Sequence, residues 1–203
     1  MKQIRYALWV LVSVLLATLF SLYLLREEPN RTEKVVFSEV AFGQPFSLVD
    51  NKGQEITEKA FEGHPNLLFF GFTNCPEICP TTLYEINAWL DELGDEAKSV
   101  RSFFITVDPA RDTPEVMDAY VSAMSSRIVG ITGNVEKVAA LTKSWRIYAE
   151  KIPYVDTVDE GDYNMDHTAS VLLVRADGSL QGTITYGENP AVALDKIRLL
   201  LKR

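Results

Sequence analysis

The chain has 203 residues, of which 47% are hydrophobic and 24% are charged, and its formal net charge is −8. This length is sufficient for one ordinary domain with a buried core and a short additional segment. The acidic balance argues against a nucleic-acid-binding protein, because such a protein needs a basic face. No nucleic-acid partner is therefore expected.

An uncharged run, "YALWVLVSVLLATLFSLYLL", occupies residues 6–25. It is long enough to cross a bilayer as a helix, and Lys2 and Arg5 before it favour a cytoplasmic N-terminus. A cleaved signal peptide is the alternative, but its apolar region would be shorter and would end in a small-residue cleavage site. We therefore predict a membrane anchor over residues 1–26, a polar linker over 27–37 and an exported domain over 38–203.

The exported part alternates between strand and helix patterns. Sequences typical of strands occupy 45–57 (a hairpin), 66–72, 100–108, 127–133 and 168–186 (a hairpin). Apolar residues at helical spacing, several of them behind a capping residue, occupy 81–94, 113–124, 134–147 and 189–203. This order predicts an α/β domain in which helices flank a mixed central sheet.

The only two cysteines, Cys75 and Cys79, lie together in "TNCPEICPTT", between a predicted strand and a predicted helix. Functional groups are often presented at this end of an open α/β sheet, and a helix N-terminus favours the thiolate. If the loop turns helically, the two sulfurs share one face. The pair could be a structural disulfide, a redox couple or part of a soft-metal site that needs further ligands.

Few other side chains in the sequence could complete a soft-metal site. Of the two histidines, His64 lies in the polar turn "EGHPN" and is expected to be solvated. His167 precedes the strand pattern "SVLLV", where a histidine packed in the core is the ordinary interpretation. In a thioredoxin-type sheet, however, this strand lies beside the one that leads into the cysteine loop. His167 is therefore the better ligand candidate, and Met165 is a weaker one.

Three stretches carry specific motifs: a C-P-x-x-C-P loop in "GHPNLLFFGFTNCPEICPTTL", a VDPxRDTP block in "FFITVDPARDTPEVMDAYV", and a D-H pair in "YNMDHTASVLLVRADG". In this order, over roughly residues 38–202, they resemble the Sco/SenC copper chaperones of cytochrome oxidase assembly. The resemblance implies a thioredoxin-like fold with an N-terminal transmembrane helix. It also implies one copper ion per chain, Cu(I) or Cu(II), held by Cys75, Cys79 and His167.

Three further residues match the family pattern. Asp166 is expected in the outer shell of the metal or at a partner surface. Asp108 and Arg111 are expected there too, although a structural turn with an ion pair explains them equally well. True thioredoxins place a cis-proline before the strand that faces the redox pair, whereas "DHTASV" has no proline and offers a histidine there.

The resemblance implies a membrane-anchored metallochaperone rather than an enzyme. It would deliver copper to, or prepare, the CuA site of cytochrome c oxidase subunit II. A periplasmic thiol reductant or another copper chaperone would be a further partner. The implied location is the bacterial inner membrane, with a single pass and the C-terminal domain in the periplasm.

Two alternatives use the same residues. One is a membrane-tethered thiol–disulfide reductase in which Cys75 and Cys79 are the redox pair and the oxidase subunit's cysteines are the substrate. The other is a copper or redox sensor. The sequence does not separate these possibilities.

Overall fold

A computed structural model describes residues 2–24, 42–154 and 162–202. The chain divides into two units, Met1–Val40 and Ala41–Arg203. The predicted linker over residues 27–37 lies outside the described residues.

The first unit contains helix α1, which spans Lys2–Leu24. Residues 6–24 of the uncharged run thus form a helix, and large apolar side chains such as Trp9 and Leu11 are exposed along it. Within the described residues, however, no helix combines the length and the apolar character that a bilayer crossing requires. The transmembrane helix predicted over residues 6–25 is therefore not found there.

The second unit is of the α/β class, as predicted. Its described strands are β1 (Ser47–Asp50), β2 (Glu55–Thr57), β3 (Asn66–Gly71), β4 (Arg101–Thr106), β5 (Ile128–Thr132), β6 (Ala149–Pro153), β7 (Tyr163–His167), β8 (Ser170–Val174) and β9 (Leu180–Thr185). Its described α-helices are α2 (Ile78–Leu93), α3 (Pro114–Met124), α4 (Val135–Ser144) and α5 (Pro190–Leu201). Two short 3-10 helices span Glu58–Phe61 and Gly94–Ser99.

Seven strands form one mixed sheet in the order β2-β1-β5-β4-β3-β8-β9. Strands β3, β4 and β5 run parallel, whereas β8 is antiparallel to β3, with Phe69 opposite Val171. All six residues of β3 are buried, so this strand lies at the centre of the core. The predicted mixed sheet is confirmed. The prediction that β8 lies beside β3, the strand that leads to the cysteine loop, is also confirmed.

The predicted helix starts are confirmed for three helices because their capping side chains are in place. The side chains of Thr113, Asn134 and Asn189 accept backbone N–H groups at the first turns of α3, α4 and α5. Helix α2 begins at Ile78, three residues earlier than the predicted range of 81–94. As a result, Cys79 belongs to the first turn of α2.

Strands β6 and β7 form a separate two-stranded antiparallel sheet that the sequence did not predict. Residues directly opposite each other in such a pair share a face, and faces alternate along each strand. Ala149 lies opposite His167 and Lys151 opposite Met165, whereas Glu150 lies opposite Asp166 on the other face. The hairpin therefore has an inner face that carries His167 and an outer face that carries Asp166.

Candidate metal centre

Cys75, Cys79 and His167 come together beyond the C-terminal end of β3. Sγ of Cys79 lies 3.6 Å from Nε2 of His167. The three potential ligand atoms all lie within 4.8 Å of one another. Atoms bound about 2.0–2.3 Å from one ion lie at most about 4.6 Å apart, so a small closing movement is enough for all three to share an ion.

The cysteine loop positions the two sulfurs through a tight turn after β3. The backbone N–H of Cys75 donates to the carbonyl oxygen of Phe72, and that of Cys79 donates to Sγ of Cys75 over 3.4 Å. Cys79 is fully buried, whereas Cys75 is only half-buried. Both are free thiols in this structure, so the structural disulfide considered above is not formed.

Gly71, the last residue of β3, makes room for the sulfur of Cys79. A Cβ atom at this position would lie 2.8 Å from that sulfur and 2.7 Å from Cε2 of Phe104. Both distances are far below van der Waals contact, so a larger residue would displace the sulfur or the phenylalanine ring. The sequence showed a glycine in a buried strand, which is a known signal of close approach.

The ring of His167 is oriented with Nε2 towards the cysteines. Its Nδ1 lies 3.1 Å from the carbonyl oxygen of Thr168. Because a carbonyl only accepts, Nδ1 donates its proton to it, which leaves Nε2 as the ring nitrogen that can bind a metal. The edges of Phe69 and Phe72 pack around the ring, with centroid distances of 6.2 Å and 5.7 Å.

The two thiols differ in acidity because they share one proton. The hydrogen bond from Cys79 lowers the pKa of Cys75 well below its ordinary value of 9.0, burial acts against this, and His167 adds to it. The hydrogen bond to Cys75 and then burial raise the pKa of Cys79. In the metal-free protein Cys75 is therefore the thiolate and Cys79 the thiol.

Asp112 ties the cysteine loop to the neighbouring part of the sheet, and sequence reasoning missed it. This fully buried carboxylate accepts hydrogen bonds from the backbone N–H and the hydroxyl of Thr73 and from the hydroxyl of Thr106. Burial raises its pKa, and the hydrogen bonds from the two threonines act against this. The block "VDPARDTP" contained the residue, but only the partners in space reveal its role.

Asp108 and Arg111 form the predicted ion pair, which reaches the β6–β7 hairpin. Nε of Arg111 donates to the buried Asp108 carboxylate, and its Nη1 donates to the carbonyl oxygen of Tyr163 over 2.9 Å. The hydroxyl of Tyr163 donates to the other Asp108 oxygen over 2.7 Å. Arg111 also stacks on the Tyr163 ring, 3.9 Å from its centroid. The network therefore holds the start of β7, the strand that ends at His167.

Asp166 and His64 lie outside the cluster of ligand atoms. Asp166 is exposed on the outer face of the hairpin, opposite Glu150. Its side chain is thus at the surface, where a partner could meet it. Met165 is buried on the inner face, and His64 is half-buried in the loop before β3. His64 does not belong to the described group of potential metal ligands.

Two sulfurs and one imidazole nitrogen make a soft donor set. Structural zinc sites generally take four protein ligands, whereas thiolates with imidazole suit a soft ion such as Cu(I). Cys75 and His167 are both partly exposed, so one side of the site is open to solvent. The arrangement can hold an ion and still leave it accessible to an incoming ligand.

The family model for SCO1/SenC matches residues 37–202 of the chain. The mitochondrial SCO2 homolog of Danio rerio is 41% identical over 167 residues, which are 81% of this chain and 59% of that protein. The chain spans about three fifths of the length of the curated SCO2 relatives it matches.

Solved structures are similar over the second unit. The structure of Bradyrhizobium japonicum ScoI with copper bound is 42% identical, with a TM-score of 0.70, and the match covers 78% of this chain and 99% of that one. The crystal structure of yeast Sco1 with copper bound is 34% identical, with a TM-score of 0.72 and coverage of 80% and 89%. The second unit thus has the thioredoxin-like Sco fold, and the chain belongs to the SCO1/SenC family.

Proposed function

We propose that this protein binds one copper ion through Cys75, Cys79 and His167 and delivers it to the CuA site of cytochrome c oxidase subunit II. The observation that carries the proposal is the convergence of two sulfurs and one oriented imidazole nitrogen within 4.8 Å. Copper bound in two family structures that are 42% and 34% identical to this chain supports the same choice of ion.

Loading of the site requires one proton to leave. Cys75 has the lowered pKa and enters as the thiolate, and His167 directs its Nε2 at the cysteines. Cys79 carries the remaining proton, which departs when the metal binds.

Release follows from the unequal burial of the ligands. Copper would be approached from the open side, where Cys75 and His167 are partly exposed. An acceptor thiolate can replace these ligands one at a time, while the buried Cys79 is displaced last. Transfer through shared ligands avoids a free ion at any stage.

Copper binding is tested by anaerobic titration of the full-length chain with Cu(I) against a chromophoric chelator. We expect one ion per chain, and we expect Cys75→Ser, Cys79→Ser and His167→Ala each to weaken binding by more than about a hundredfold, because each removes a ligand. His64→Ala is the matched control and should bind like the unchanged protein. Unchanged affinity in all three ligand variants would overturn the proposed site.

Delivery is tested by mixing the copper-loaded chain with the copper-free CuA domain of subunit II. Formation of the CuA absorption is the expected result, and a copper-loaded sample of the His167→Ala variant should transfer less metal. Full copper binding without any transfer would instead favour a copper sensor.

A thiol–disulfide reductase is the second candidate, favoured by the unequal acidity of Cys75 and Cys79. A low-pKa thiolate at a helix start is the usual attacking group in such enzymes. The test is reduction of an oxidised CuA-domain dithiol by the His167→Ala variant. Full reduction without the histidine, together with no copper binding by the unchanged protein, would favour the reductase.

Membrane attachment through residues 6–25 completes the proposal, with the domain over 38–203 in the bacterial periplasm. Its support is the uncharged run of the sequence and the exposed apolar side chains along α1. Anchoring donor and acceptor in one membrane would raise their effective concentration. The full-length chain should remain with bacterial membranes after a carbonate wash, whereas a chain without residues 1–26 should not; recovery of both in the soluble fraction would contradict the anchor.

A further inference from the structure

Three large side chains on the outer face of the β6–β7 hairpin stay about half exposed. Tyr148, Ile152 and Tyr154 have 50%, 44% and 45% of their surface in contact with solvent. Backbone pairing extends beyond both ends of β6: the Thr168 N–H donates to the carbonyl oxygen of Tyr148, and the Tyr154 N–H donates to that of Asp162. Because faces alternate along a strand, the three side chains share the outer face.

Two carboxylates of this outer face lie directly opposite each other. Glu150 of β6 is the partner of Asp166 of β7, and both side chains are exposed. Like charges at opposed positions destabilise a pair of strands. Neither carboxylate forms an ion pair with a residue of 42–154 or 162–202. Lys151, next to Glu150, is held on the inner face, with Nζ 4.3 Å from the centroid of the Tyr163 ring.

An aromatic ring accompanies the two carboxylates. The hydroxyl of Tyr148 donates to Oε2 of Glu150 over 2.6 Å. This hydrogen bond is the main cause that raises the pKa of Tyr148, and desolvation and the negative charges of Glu150 and Asp166 add to it. A ring beside carboxylates suits a guanidinium group, which stacks on an aromatic face and donates paired hydrogen bonds to a carboxylate.

The outer face belongs to the strand that ends at His167. Asp166 immediately precedes His167, and the two side chains leave β7 on opposite faces. A protein bound to the outer face would therefore lie on the strand that carries a metal ligand, while Nε2 of His167 stays directed at the cysteines. Exposed apolar surface beside polar groups is typical of protein–protein contacts, and tyrosine is enriched in them.

We propose that the outer face of the β6–β7 hairpin is the docking surface for the copper acceptor, which meets it with a basic, arginine-bearing surface. An arginine of the acceptor lies between Glu150 and Asp166, and apolar side chains of the acceptor cover Tyr148, Ile152 and Tyr154. The inference rests on the proposed function, because it takes the CuA domain of subunit II as the acceptor. It adds the chemistry of the contact.

The charge of the surface is tested by calorimetric titration of the metal-free, full-length chain in detergent micelles with the CuA domain. Glu150→Gln/Asp166→Asn should weaken binding roughly three- to tenfold at low ionic strength and less at high ionic strength, since salt screens exposed pairs. Glu92→Gln/Glu96→Gln removes two exposed carboxylates at the end of α2 remote from the cysteine loop, and this matched control should bind like the unchanged protein. Equal weakening by both double variants would overturn the proposal.

The apolar part of the surface is tested with Ile152→Thr. Threonine keeps a branched side chain that suits a strand, and the position is exposed, so the fold should be unaffected. Binding of the CuA domain should weaken several-fold at both ionic strengths, because salt does not screen apolar burial. Val135→Thr, at an exposed position of α4, is the matched control and should leave binding unchanged. Unchanged binding by Ile152→Thr would contradict the proposed contact.

Thermal unfolding separates docking from a structural role of the carboxylates. Glu150→Gln/Asp166→Asn removes the like-charge pair, so the melting temperature of the free chain should stay equal or rise. A lower melting temperature would mean that the carboxylates stabilise the hairpin, and weaker binding would then be explained by damage to the hairpin rather than by docking.

Two other occupants of the outer face would give their own signals. Saturable binding of Ca²⁺ to the unchanged chain that Glu150→Gln/Asp166→Asn abolishes would identify a cation site. Concentration-dependent dimerisation that Ile152→Thr abolishes would assign the face to a second copy of the chain. Either result would overturn docking of the acceptor there.

Failure of this inference and failure of the proposed function give different results. Copper transfer at the full rate from Glu150→Gln/Asp166→Asn, with the acceptor below saturation, would overturn the docking surface and leave delivery intact. Binding of the CuA domain that depends on these two carboxylates, without formation of the CuA absorption, would keep the docking surface and exclude delivery. Absence of both binding and transfer in the unchanged protein would overturn both.

Discussion

The two segments that contribute the candidate ligands are held in different ways. The cysteine loop, residues 72–79, continues the fully buried strand β3 and is tied down by Asp112. The β6–β7 hairpin is largely exposed along β6 and is connected through Arg111 to the buried Asp108. The sulfur pair is therefore fixed by the core, whereas the strand that carries the imidazole is held by its pairing with β6 and a few polar contacts. This combination suits an ion that must be both held and released.

The largest expected effect concerns the acidity of Cys75, which depends mainly on the cysteine loop and only slightly on the β6–β7 hairpin. Because the pKa of Cys75 is lowered, its thiolate persists as the pH falls, until the pH reaches the lowered value. At pH 5 we expect iodoacetamide to alkylate Cys75 about a hundredfold faster than an ordinary thiol, even allowing for the weaker nucleophilicity of an acidic thiol. Mass spectrometry of the metal-free chain measures the rate, and the buried Cys79 should stay unlabelled.

Two variants test whether the lowered pKa of Cys75 is caused by the cysteine loop. The largest cause is the hydrogen bond from Cys79, and the bond from His167 is a smaller one. Cys79→Ala should therefore return the alkylation profile of Cys75 towards that of an ordinary thiol, whereas His167→Ala should retain most of the low-pH reactivity. The opposite ranking would mean that the hairpin, not the loop, controls the thiolate.

Asp112→Ala should have the largest effect on stability, because it removes the anchor of the cysteine loop. Three donors, one of them the backbone N–H of Thr73, lose their buried acceptor. We expect a loss of roughly 2–4 kcal/mol in the free energy of unfolding, measured by denaturant titration. The control Asp91→Ala breaks only exposed contacts, those with Arg127 and Asn87, and should cost less than about 1 kcal/mol. Equal losses in both variants would show that Asp112 does not anchor the loop.

Gly71→Ala tests the close packing at the other side of the loop. The new methyl group would meet Phe104 and the sulfur of Cys79. Overpacking of this kind costs roughly 1–3 kcal/mol, and displacement of the sulfur should also weaken copper binding. Gly182→Ala is the matched control, since it also lies in a strand but has nothing within 4 Å of the new methyl group. If both variants unfold at the same temperature, the fit around Cys79 is looser than the structure implies.

The contrast between the cysteine loop and the β6–β7 hairpin also separates what could be predicted from the sequence from what could not. The loop lies between β3 and α2, whose apolar patterns are strong, so its place at the end of a buried strand was predicted correctly. The hairpin was missed because its strands "AEKIP" and "YNMDH" are short and mostly polar, and such strands lack an apolar signal. His167 was expected at the entry to β8, but it ends β7, three residues before β8 starts.

The outer contacts of the site were only partly predictable, because they depend on pairs distant in sequence. The ion pair between Asp108 and Arg111 follows from their spacing of three residues. The bond from Tyr163 to Asp108 joins residues 55 positions apart, and the bonds from Thr73 to Asp112 join residues 39 positions apart. Polar pairs at such separations leave no periodic pattern, so only the folded chain identifies them.

The smallest expected effect is that of Tyr163→Phe, which weakens the hairpin but leaves the loop intact. The variant loses the hydrogen bond to Asp108 but keeps the ring under Arg111 and the backbone bond to its Nη1. One such bond contributes about 1 kcal/mol, so amides of β6 and β7 should exchange with solvent roughly fivefold faster, while those of β3 are unchanged. Copper affinity should fall by a similar factor, since β7 carries His167. Tyr148→Phe, which removes an exposed bond to Glu150, is the control and should change neither quantity. Faster exchange in β3 and β7 alike would mean that the hairpin and the loop open as one unit, and the distinction between a fixed sulfur pair and a more loosely held imidazole would then fail.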